Sequence, residues 1–215
     1  MTRVKICGIT EVASAREVVS AGADFLGLIF APSRRRVTTE KARQIAAEVR
    51  QLSPRPELVG VFVNARAVEV NRAAERCQLD RVQLSGDESW EYCREIKVPV
   101  IKVIHVAASK TAAEIIAAIK AGRRVCPDTE MIYLLDTHVP GAYGGTGKGF
   151  DWQIAREVAD RYPVMVAGGL NPGNVGALVR TVRPWGVDVS SGVETGGQKD
   201  SAKIRAFLAA VRAAA

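Results

Sequence analysis

Two segments near the end of the chain are rich in glycine and serine, a composition that suits an anion site. They are residues 167–172 (Ala-Gly-Gly-Leu-Asn-Pro) and residues 188–194 (Asp-Val-Ser-Ser-Gly-Val-Glu), and each follows a short apolar run. Glycine has no Cβ, so the main chain can turn at positive φ and bring its N–H groups against a ligand. A helix that begins there adds unsatisfied N–H groups and a positive partial charge. The segments therefore predict a phosphate site, with two ordinary turns as the alternative. The residues whose backbone we expect at the phosphate are Gly168, Gly169, Ser190, Ser191 and Gly192.

Two other residues, Cys7 and Asp136, each end an otherwise apolar run. A cysteine in such a position is more often inert packing than a nucleophile or a base. A carboxylate at the rim of a core needs partners, because an unpaired charge is costly to bury. The alternative role of Asp136 is to cap the loop that follows it. Both residues are therefore candidates for acid–base chemistry and, equally, for structural roles.

Eight short apolar runs must position these groups, and segments of helical spacing lie between them. Near-continuous apolar runs are typical of strands that are covered on both faces. The predicted strands are Val4–Cys7, Phe25–Phe30, Leu58–Val63, Arg81–Leu84, Val100–Ile104, Met131–Leu135, Val164–Ala167 and Val187–Ser190. The predicted helices include Ala13–Ala21, Thr39–Leu52, Val68–Cys77, Lys110–Lys120, Trp152–Arg161 and Ser201–Ala214.

This alternation predicts a parallel sheet, because parallel neighbours need a crossover helix. The 215 residues are enough for one α/β domain, a single (β/α)8 TIM barrel over residues 1–215, since that fold manages with about 200. A doubly wound open sheet would usually carry a G-x-G-x-x-G turn after its first strand. The turn here is Cys-Gly-Ile-Thr at residues 7–10. In a barrel, catalytic groups lie at the carboxyl ends of the strands, and phosphate commonly binds after strands seven and eight.

Composition narrows the class of protein. Hydrophobic residues make up 47% and charged residues 25%, as in ordinary soluble proteins. No apolar stretch approaches the roughly 18 residues of a membrane span, and the N-terminus lacks the features of a signal peptide. Four dispersed cysteines and two histidines favour neither disulfides nor a zinc site, so we expect a cytoplasmic protein.

The net charge of +7 raises the possibility of nucleic-acid binding. The basic residues are scattered over predicted helices, except for the cluster Arg34, Arg35 and Arg36, and no nucleic-acid module accompanies them. A basic surface also attracts small anionic substrates. We therefore expect a small anionic partner, and neither nucleic acid nor a membrane.

Residues 141–149 (Gly-Ala-Tyr-Gly-Gly-Thr-Gly-Lys-Gly) approximate a P-loop, but the spacing differs. Position 142 is alanine where the first glycine is needed, and Gly149 replaces the Ser or Thr that would hold magnesium. A loop over the barrel mouth, or a third set of amides directed at an anion, fits better.

Taken together, several motifs carry a resemblance to a known family. They are Val-Lys-Ile-Cys-Gly-Ile-Thr at residues 4–10, Val-Gly-Val-Phe-Val-Asn at 59–64, Leu-Leu-Asp-Thr at 134–137, Gly-Gly-Thr-Gly-Lys at 144–148, Phe-Asp-Trp at 150–152 and the two glycine segments described above. In this order and over essentially the whole chain, the sequence resembles the phosphoribosylanthranilate isomerases of tryptophan biosynthesis.

The resemblance implies a barrel that converts N-(5-phospho-β-D-ribosyl)anthranilate to 1-(2-carboxyphenylamino)-1-deoxy-D-ribulose 5-phosphate, an Amadori rearrangement, without metal or cofactor. By family analogy, Asp136 is the general acid at the ring oxygen. Cys7, as a thiolate, is the general base at C2 of the sugar. A thiol must ionise near neutral pH for this role, so positive neighbours are expected to lower its pKa.

The resemblance also implies substrate contacts. Arg36 aligns with the arginine that binds the anthranilate carboxylate, for which a planar guanidinium is suited; Arg34 and Arg35 are expected in a solvated loop. Gly145 and Thr146 are expected to add to the phosphate site. The chain departs from the family at Ser85, where histidine usually follows Gln-Leu. Family members occur as monomers and homodimers, and either is expected.

Two other classes stay open at this point. One is a different phosphosugar barrel, either a histidine-pathway isomerase or an indole-glycerol-phosphate synthase. The first would be expected to use two aspartates, which Cys7 argues against, and the second a catalytic lysine. The other class is a non-catalytic module that binds phosphate or flavin.

Overall fold

The parallel strands that the apolar runs predict close on themselves in a barrel. The structure is a computed structural model that describes residues 1–107, 109–137 and 151–215. Within these residues, each strand pairs in parallel with the next, and β1 also pairs with β8, which closes the barrel. The strands are β1 Arg3–Cys7, β2 Phe25–Ile29, β3 Glu57–Phe62, β4 Arg81–Leu84, β5 Val100–Val106, β6 Met131–Thr137, β7 Val164–Val166 and β8 Gly186–Val189. The predicted (β/α)8 TIM barrel is confirmed.

Helices alternate with the strands in the described part of the chain. They are α1 Val12–Ala21, α2 Thr39–Val49, α3 Ala67–Cys77, α4 Trp90–Cys93, α5 Ala112–Val125, α6 Trp152–Ala159, α7 Val175–Val182 and α8 Ser201–Ala214. Two small elements follow β8: the 3-10 turn Ser191–Val193 and the two-stranded hairpin of β9 (Glu194–Thr195) and β10 (Gln198–Lys199). Both lie beside the carboxyl end of β8, where the phosphate site is predicted.

Alternation of side chains along each strand divides the apolar residues into two cores. One face of each strand packs against the helices. The other face fills the barrel interior with side chains, as this fold requires, among them Phe25, Val59, Ile101, Val103, Ile132, Leu134 and Met165. Lys5 points into the same interior region and is completely buried. A charged residue in this position needs a buried partner.

Local hydrogen bonds explain where the structure departs from the predicted helix bounds. The helix expected at Lys110–Lys120 begins two residues later, because Thr111 and Glu114 form a capping box, with Thr111 Oγ1 accepting from the Glu114 N–H. It continues to Val125. Among the described residues, no helix combines the length and the apolar character needed to cross a membrane.

Candidate active site

A cavity of about 550 Å³ opens at the carboxyl ends of the barrel strands. Side chains or backbone at the ends of six strands line it, so it lies where this fold places its catalytic groups. Of the predicted site residues, it brings together Cys7, Asp136, Gly168, Gly169, Ser190, Ser191 and Gly192. Gly145 and Thr146 lie outside the described residues.

The backbone of the loops after β7 and β8 is arranged closely around one end of the cavity. Gly168 and Gly169 have φ values of 95° and 65°, a region that favours glycine. A Cβ on Gly192 would collide with the carbonyl oxygen of Leu170, so the two loops touch at this glycine. The 3-10 turn Ser191–Val193 starts directly after β8. Small residues, positive φ and a short helical turn together suit an anion held by main-chain N–H groups.

Side chains fix the shape of these loops. The Asn174 amide Nδ2 donates to the Gly169 carbonyl at 3.0 Å, and the Asn174 Oδ1 accepts from the Asn171 N–H at 2.8 Å. In the other loop, the Ser190 hydroxyl donates to the Cys7 carbonyl at 3.1 Å. The loop after β8 is therefore tied to the strand end that carries the predicted base.

Asp136 lies near the end of β6 and lines the cavity. Its Oδ1 accepts a hydrogen bond from the Thr137 N–H at 2.8 Å. Burial and the nearby Asp188 raise the pKa of Asp136 to about 6, although the Thr137 N–H and Lys5 act in the opposite direction. A carboxyl group with this pKa keeps its proton in part of the molecules near neutral pH, as a general acid must.

Cys7 ends β1 and is 6% exposed, with its side chain on the cavity wall. The expectation of a lowered thiol pKa is wrong. Burial raises the pKa of Cys7 above its ordinary value, and the positive charges of Lys5 and Lys199 only partly compensate. Desolvation penalises the thiolate more than these cations favour it.

Lys5 lies beside Cys7 in the barrel interior. Its Nζ is 3.0 Å from Asp188 Oδ1, and Lys5 and Asp188 are register partners on β1 and β8. A Cβ added to Gly27 would come within 2.8 Å of Cys7 Sγ and 3.2 Å of Lys5 Nζ. The thiol and the ammonium thus share the space that Gly27 leaves open.

The three arginines predicted as a cluster lie in three different surroundings. The expectation that Arg35 is solvated is wrong: its side chain is buried on the cavity wall and donates to both oxygens of Glu194, at 2.6 and 2.9 Å. Arg34 is exposed, but it also donates to Glu194, at 2.9 Å. The buried carboxylate of Glu194, on the loop after β8, thus binds two guanidinium groups. The sequence around the arginines does not reveal this partner.

Arg36 is exposed and does not line the main cavity. It lines a neighbouring depression of about 670 Å³ that shares Ala31, Pro32 and Val63 with the cavity. Two stacked rings, Phe30 and Phe62, form part of that depression, with centroids 4.9 Å apart. Arg36 therefore stands beside an aromatic surface that is continuous with the cavity.

Glu194 and Lys199 support the loop after β8, a role that no sequence pattern indicated. Lys199 Nζ donates to the Ser190 carbonyl at 2.9 Å and to Glu194 Oε1 at 2.8 Å. Burial acts to raise the pKa of Glu194, but hydrogen bonds from Arg35 and Lys199 lower it overall. The carboxylate stays ionised and holds the predicted phosphate loop in place.

Gln83 is a further residue that sequence analysis missed as part of the site. It lines the cavity, is 6% exposed and donates from Nε2 to Ser85 Oγ at 3.0 Å. Its Oε1 is buried without a hydrogen-bond partner among the described residues. The signal for both Gln83 and Lys5 was available, because each is a polar side chain within an otherwise apolar strand.

The described residues contain no group of three or more His, Cys, Asp or Glu side chains arranged to hold a metal ion. The groups that face the cavity are instead an acid, a thiol, an amide and two glycine-rich loops. This set can transfer protons and bind an anion.

Comparison with known proteins matches residues 4–210 to the family described as N-(5'phosphoribosyl)anthranilate (PRA) isomerase. An N-(5'-phosphoribosyl)anthranilate isomerase of Dehalococcoides mccartyi is 55% identical over 212 residues, 99% of this chain and 96% of that protein.

Solved structures agree with this match. The phosphoribosyl anthranilate isomerase of Thermotoga maritima has a TM-score of 0.84 and 38% identity, and the match covers 99% of this chain and 100% of that one. A second structure of such an isomerase, in complex with reduced 1-(o-carboxyphenylamino)-1-deoxyribulose 5-phosphate, has a TM-score of 0.81, 37% identity and the same coverage. The chain belongs to the N-(5'-phosphoribosyl)anthranilate isomerase family.

Proposed function

We propose that this protein converts N-(5-phosphoribosyl)anthranilate to 1-(2-carboxyphenylamino)-1-deoxyribulose 5-phosphate, a step of tryptophan biosynthesis. The observation that carries the proposal is that Cys7, Asp136 and both glycine-rich loops line one cavity. Its volume of about 550 Å³ falls within the usual range for sites that enclose a small ligand. Family membership and the bound ligand of the related isomerase support the same substrate class.

In the proposed mechanism, the carboxyl group of Asp136 donates a proton to the ring oxygen of the sugar. The C1–O bond breaks, and the ring opens to a Schiff base between C1 and the anthranilate nitrogen. The thiolate of Cys7 then removes the proton from C2, which gives an enolamine. The enolamine tautomerises to the ketone, so the aldose becomes a ketose without gain or loss of atoms.

The rest of the site binds the ends of the substrate. Backbone N–H groups near Gly168, Gly169, Ser190, Ser191 and Gly192 hold the phosphate in this proposal, with Gly145 and Thr146 as further contacts. Arg36 receives the anthranilate carboxylate, and the aromatic depression beside it provides a surface for the ring. The free Oε1 of Gln83 accepts a hydrogen bond from a sugar hydroxyl.

Loss of substrate fluorescence tests this function directly. The substrate is generated in place because it hydrolyses readily, and the ketose product is identified by chromatography. Wild type should convert it rapidly, and Cys7→Ser and Asp136→Asn should each lower kcat by about 10²–10⁴-fold, the usual contribution of a placed acid or base. Cys77→Ser and Asp128→Asn are matched controls outside the cavity and should keep full turnover.

The turnover of wild type and of the two site variants distinguishes this proposal from the alternatives. Full turnover by both site variants would show that the acid–base assignment is wrong. No turnover by wild type, together with tight phosphate binding, would favour a non-catalytic module or another phosphosugar. An indole-glycerol-phosphate synthase would want a lysine that reaches its substrate, whereas Lys5 is fully buried and paired with Asp188.

The proposal also includes a single domain over residues 1–215, a cytoplasmic location and a monomeric or homodimeric state. These stay predictions from the sequence. Light scattering of the purified protein measures the oligomeric state.

A further inference from the structure

The buried ion pair of Lys5 and Asp188 adjoins the cavity that the proposed acid and base line. Its two charged atoms are 3.0 Å apart, and the side chains are 0% and 10% exposed. A buried ion pair often stabilises a protein no more than well-packed apolar residues would, because both charges must be desolvated. A role in stability alone is thus a weak reason for charges inside a barrel whose other interior residues include many apolar ones.

The pair is oriented across the site. Its positive end meets the thiol of Cys7 in the space beside Gly27, which a Cβ would fill. Its negative end, Asp188, lines the same cavity wall as Asp136. The cation therefore adjoins the group that must lose a proton, and the anion shares the cavity with the group that must keep one.

We propose that Lys5 and Asp188 are positioning residues that polarise the site, with the ammonium favouring the thiolate of Cys7 and the carboxylate keeping Asp136 protonated. This inference rests on the proposed function, since it assigns Cys7 and Asp136 their roles in proton transfer. Opposite charges within about 4–6 Å favour the ionised form of a group, and like charges disfavour it.

The electrostatics at the two groups agree with this orientation. Burial dominates the raised pKa of Cys7, but among the charges Lys5 is the strongest influence and lowers it, ahead of Asp188, which raises it. At Asp136 the order is reversed: Asp188 raises the pKa more than Lys5 lowers it. Of the two charges, Lys5 thus has the larger effect on Cys7 and Asp188 has the larger effect on Asp136, as the proposal requires.

Other charged and polar groups also face these residues. Lys199 on β10 lowers the pKa of Cys7, and the Arg35 side chain passes next to Gly8. The Thr137 N–H lowers the pKa of Asp136. His105 of β5 is the register partner of Asp136. Lys5 lowers the pKa of both Cys7 and Asp136, and Asp188 raises the pKa of both.

Two neutral variants test the proposal, Lys5→Met and Asp188→Asn. Iodoacetamide reacts with the thiolate, so its rate at Cys7 as a function of pH gives the thiol pKa without any substrate. Mass spectrometry assigns the label to Cys7, and Cys7→Ser measures labelling at the other cysteines. We expect Lys5→Met to raise the pKa of Cys7 by about one unit or more, the usual effect of a lost opposite charge. Asp188→Asn should lower it, because Lys5 is then no longer neutralised.

The opposite signs distinguish polarisation from a structural role, since loss of packing in both variants would not move the pKa in two directions. Unchanged values, or shifts of the same sign, would overturn the inference. If Lys5→Met does not fold, the double variant Lys5→Met/Asp188→Asn is compared with Asp188→Asn. It leaves no unpaired interior charge, and its Cys7 pKa should be higher than that of Asp188→Asn.

Turnover provides the second measurement. We expect kcat to fall in Lys5→Met with KM little changed, and the acid limb of the kcat/KM profile, which reports the free enzyme, to shift to lower pH in Asp188→Asn. Absence of turnover by wild type would contradict the proposed function while the labelling result stands. Normal turnover without opposite shifts in labelling would contradict only the role of the pair.

Discussion

Position 85 lies in the cavity and carries serine, where the resemblance to the family leads us to expect histidine. Ser85 is 7% exposed, lines the cavity and accepts a hydrogen bond from Gln83 Nε2. Gln83 Oε1 is buried and has no hydrogen-bond partner among the described residues. The short hydroxyl thus orients an amide, a task that does not require a titratable side chain. We expect the proposed acid–base pair to work without the histidine.

Replacement of Ser85 tests this reading. Ser85→Ala removes the bond to Gln83, and a typical net hydrogen bond of about 0.5–1.5 kcal/mol predicts a rise in KM of about 2- to 10-fold with little change in kcat. Ser85→His should not increase kcat by orders of magnitude. Steady-state kinetics of both variants give the answer, and a large gain from histidine would show that serine impairs the enzyme.

Single residues were predicted with uneven success. Cys7 and Asp136 stand out in the sequence because each lies at the end of an apolar run, and both line one cavity; their catalytic roles stay predictions. The pKa of Cys7 was predicted in the wrong direction, because burial depends on neighbours that are distant in sequence. Lys5 and Asp188 are 183 residues apart, and their pairing follows only once the barrel is closed.

At the scale of elements, the loops after β7 and β8 act as one unit. Gly192 in the 3-10 turn lies against the Leu170 carbonyl of the other loop. The contact explains why residue 192 is glycine: a side chain there would push the two loops apart. The shape of the phosphate site therefore depends on a backbone-to-backbone contact between loops.

Gly192→Ala is expected to raise KM for the phosphorylated substrate by about tenfold or more, a cost of at least about 1.4 kcal/mol in binding. The chemical step should change less, since Cys7 and Asp136 lie on strands β1 and β6 and not on these two loops. Gly176→Ala in α7 is the matched control, because its new Cβ would meet nothing closer than 3.5 Å. Kinetics at varied substrate concentration separate KM from kcat, and equal effects in both glycine variants would contradict the prediction.

Elements of regular structure were largely predictable, since all eight strands lie where apolar runs indicated. The helices α4 and α7 were not identified. The first has four residues, and the second is a strongly apolar eight-residue segment that begins with Val-Gly. Neither presents a long helical repeat. The pairing of Glu194 with Arg35 was also out of reach, because Arg35 comes from the loop after β2.

At the scale of the whole molecule, the raised pKa of the proposed acid, Asp136, lowers the stability of the folded protein at neutral pH. The pKa of Asp136 rises from its ordinary value of 3.8 to about 6 on folding. Below pH 3.8 the carboxyl group is protonated in both states and the penalty is absent. Between pH 3.8 and about 6 the group ionises in the unfolded chain but keeps its proton in the folded protein, so the folded state loses stability until the pH has passed the folded pKa, and the penalty is constant above it.

Asp136→Asn should therefore stabilise the fold at neutral and alkaline pH while it lowers turnover, a trade-off that is common at functional sites. One pKa unit corresponds to 1.36 kcal/mol, so the gain in the free energy of unfolding should reach about 3 kcal/mol at pH 8 and nearly disappear below pH 4. Urea unfolding of wild type and variant at both pH values measures the difference. The exposed Asp128→Asn is the control for removal of a carboxylate outside the cavity. An equal difference at both pH values would mean that the carboxyl group of Asp136 does not carry the electrostatic strain that its place beside Asp188 predicts.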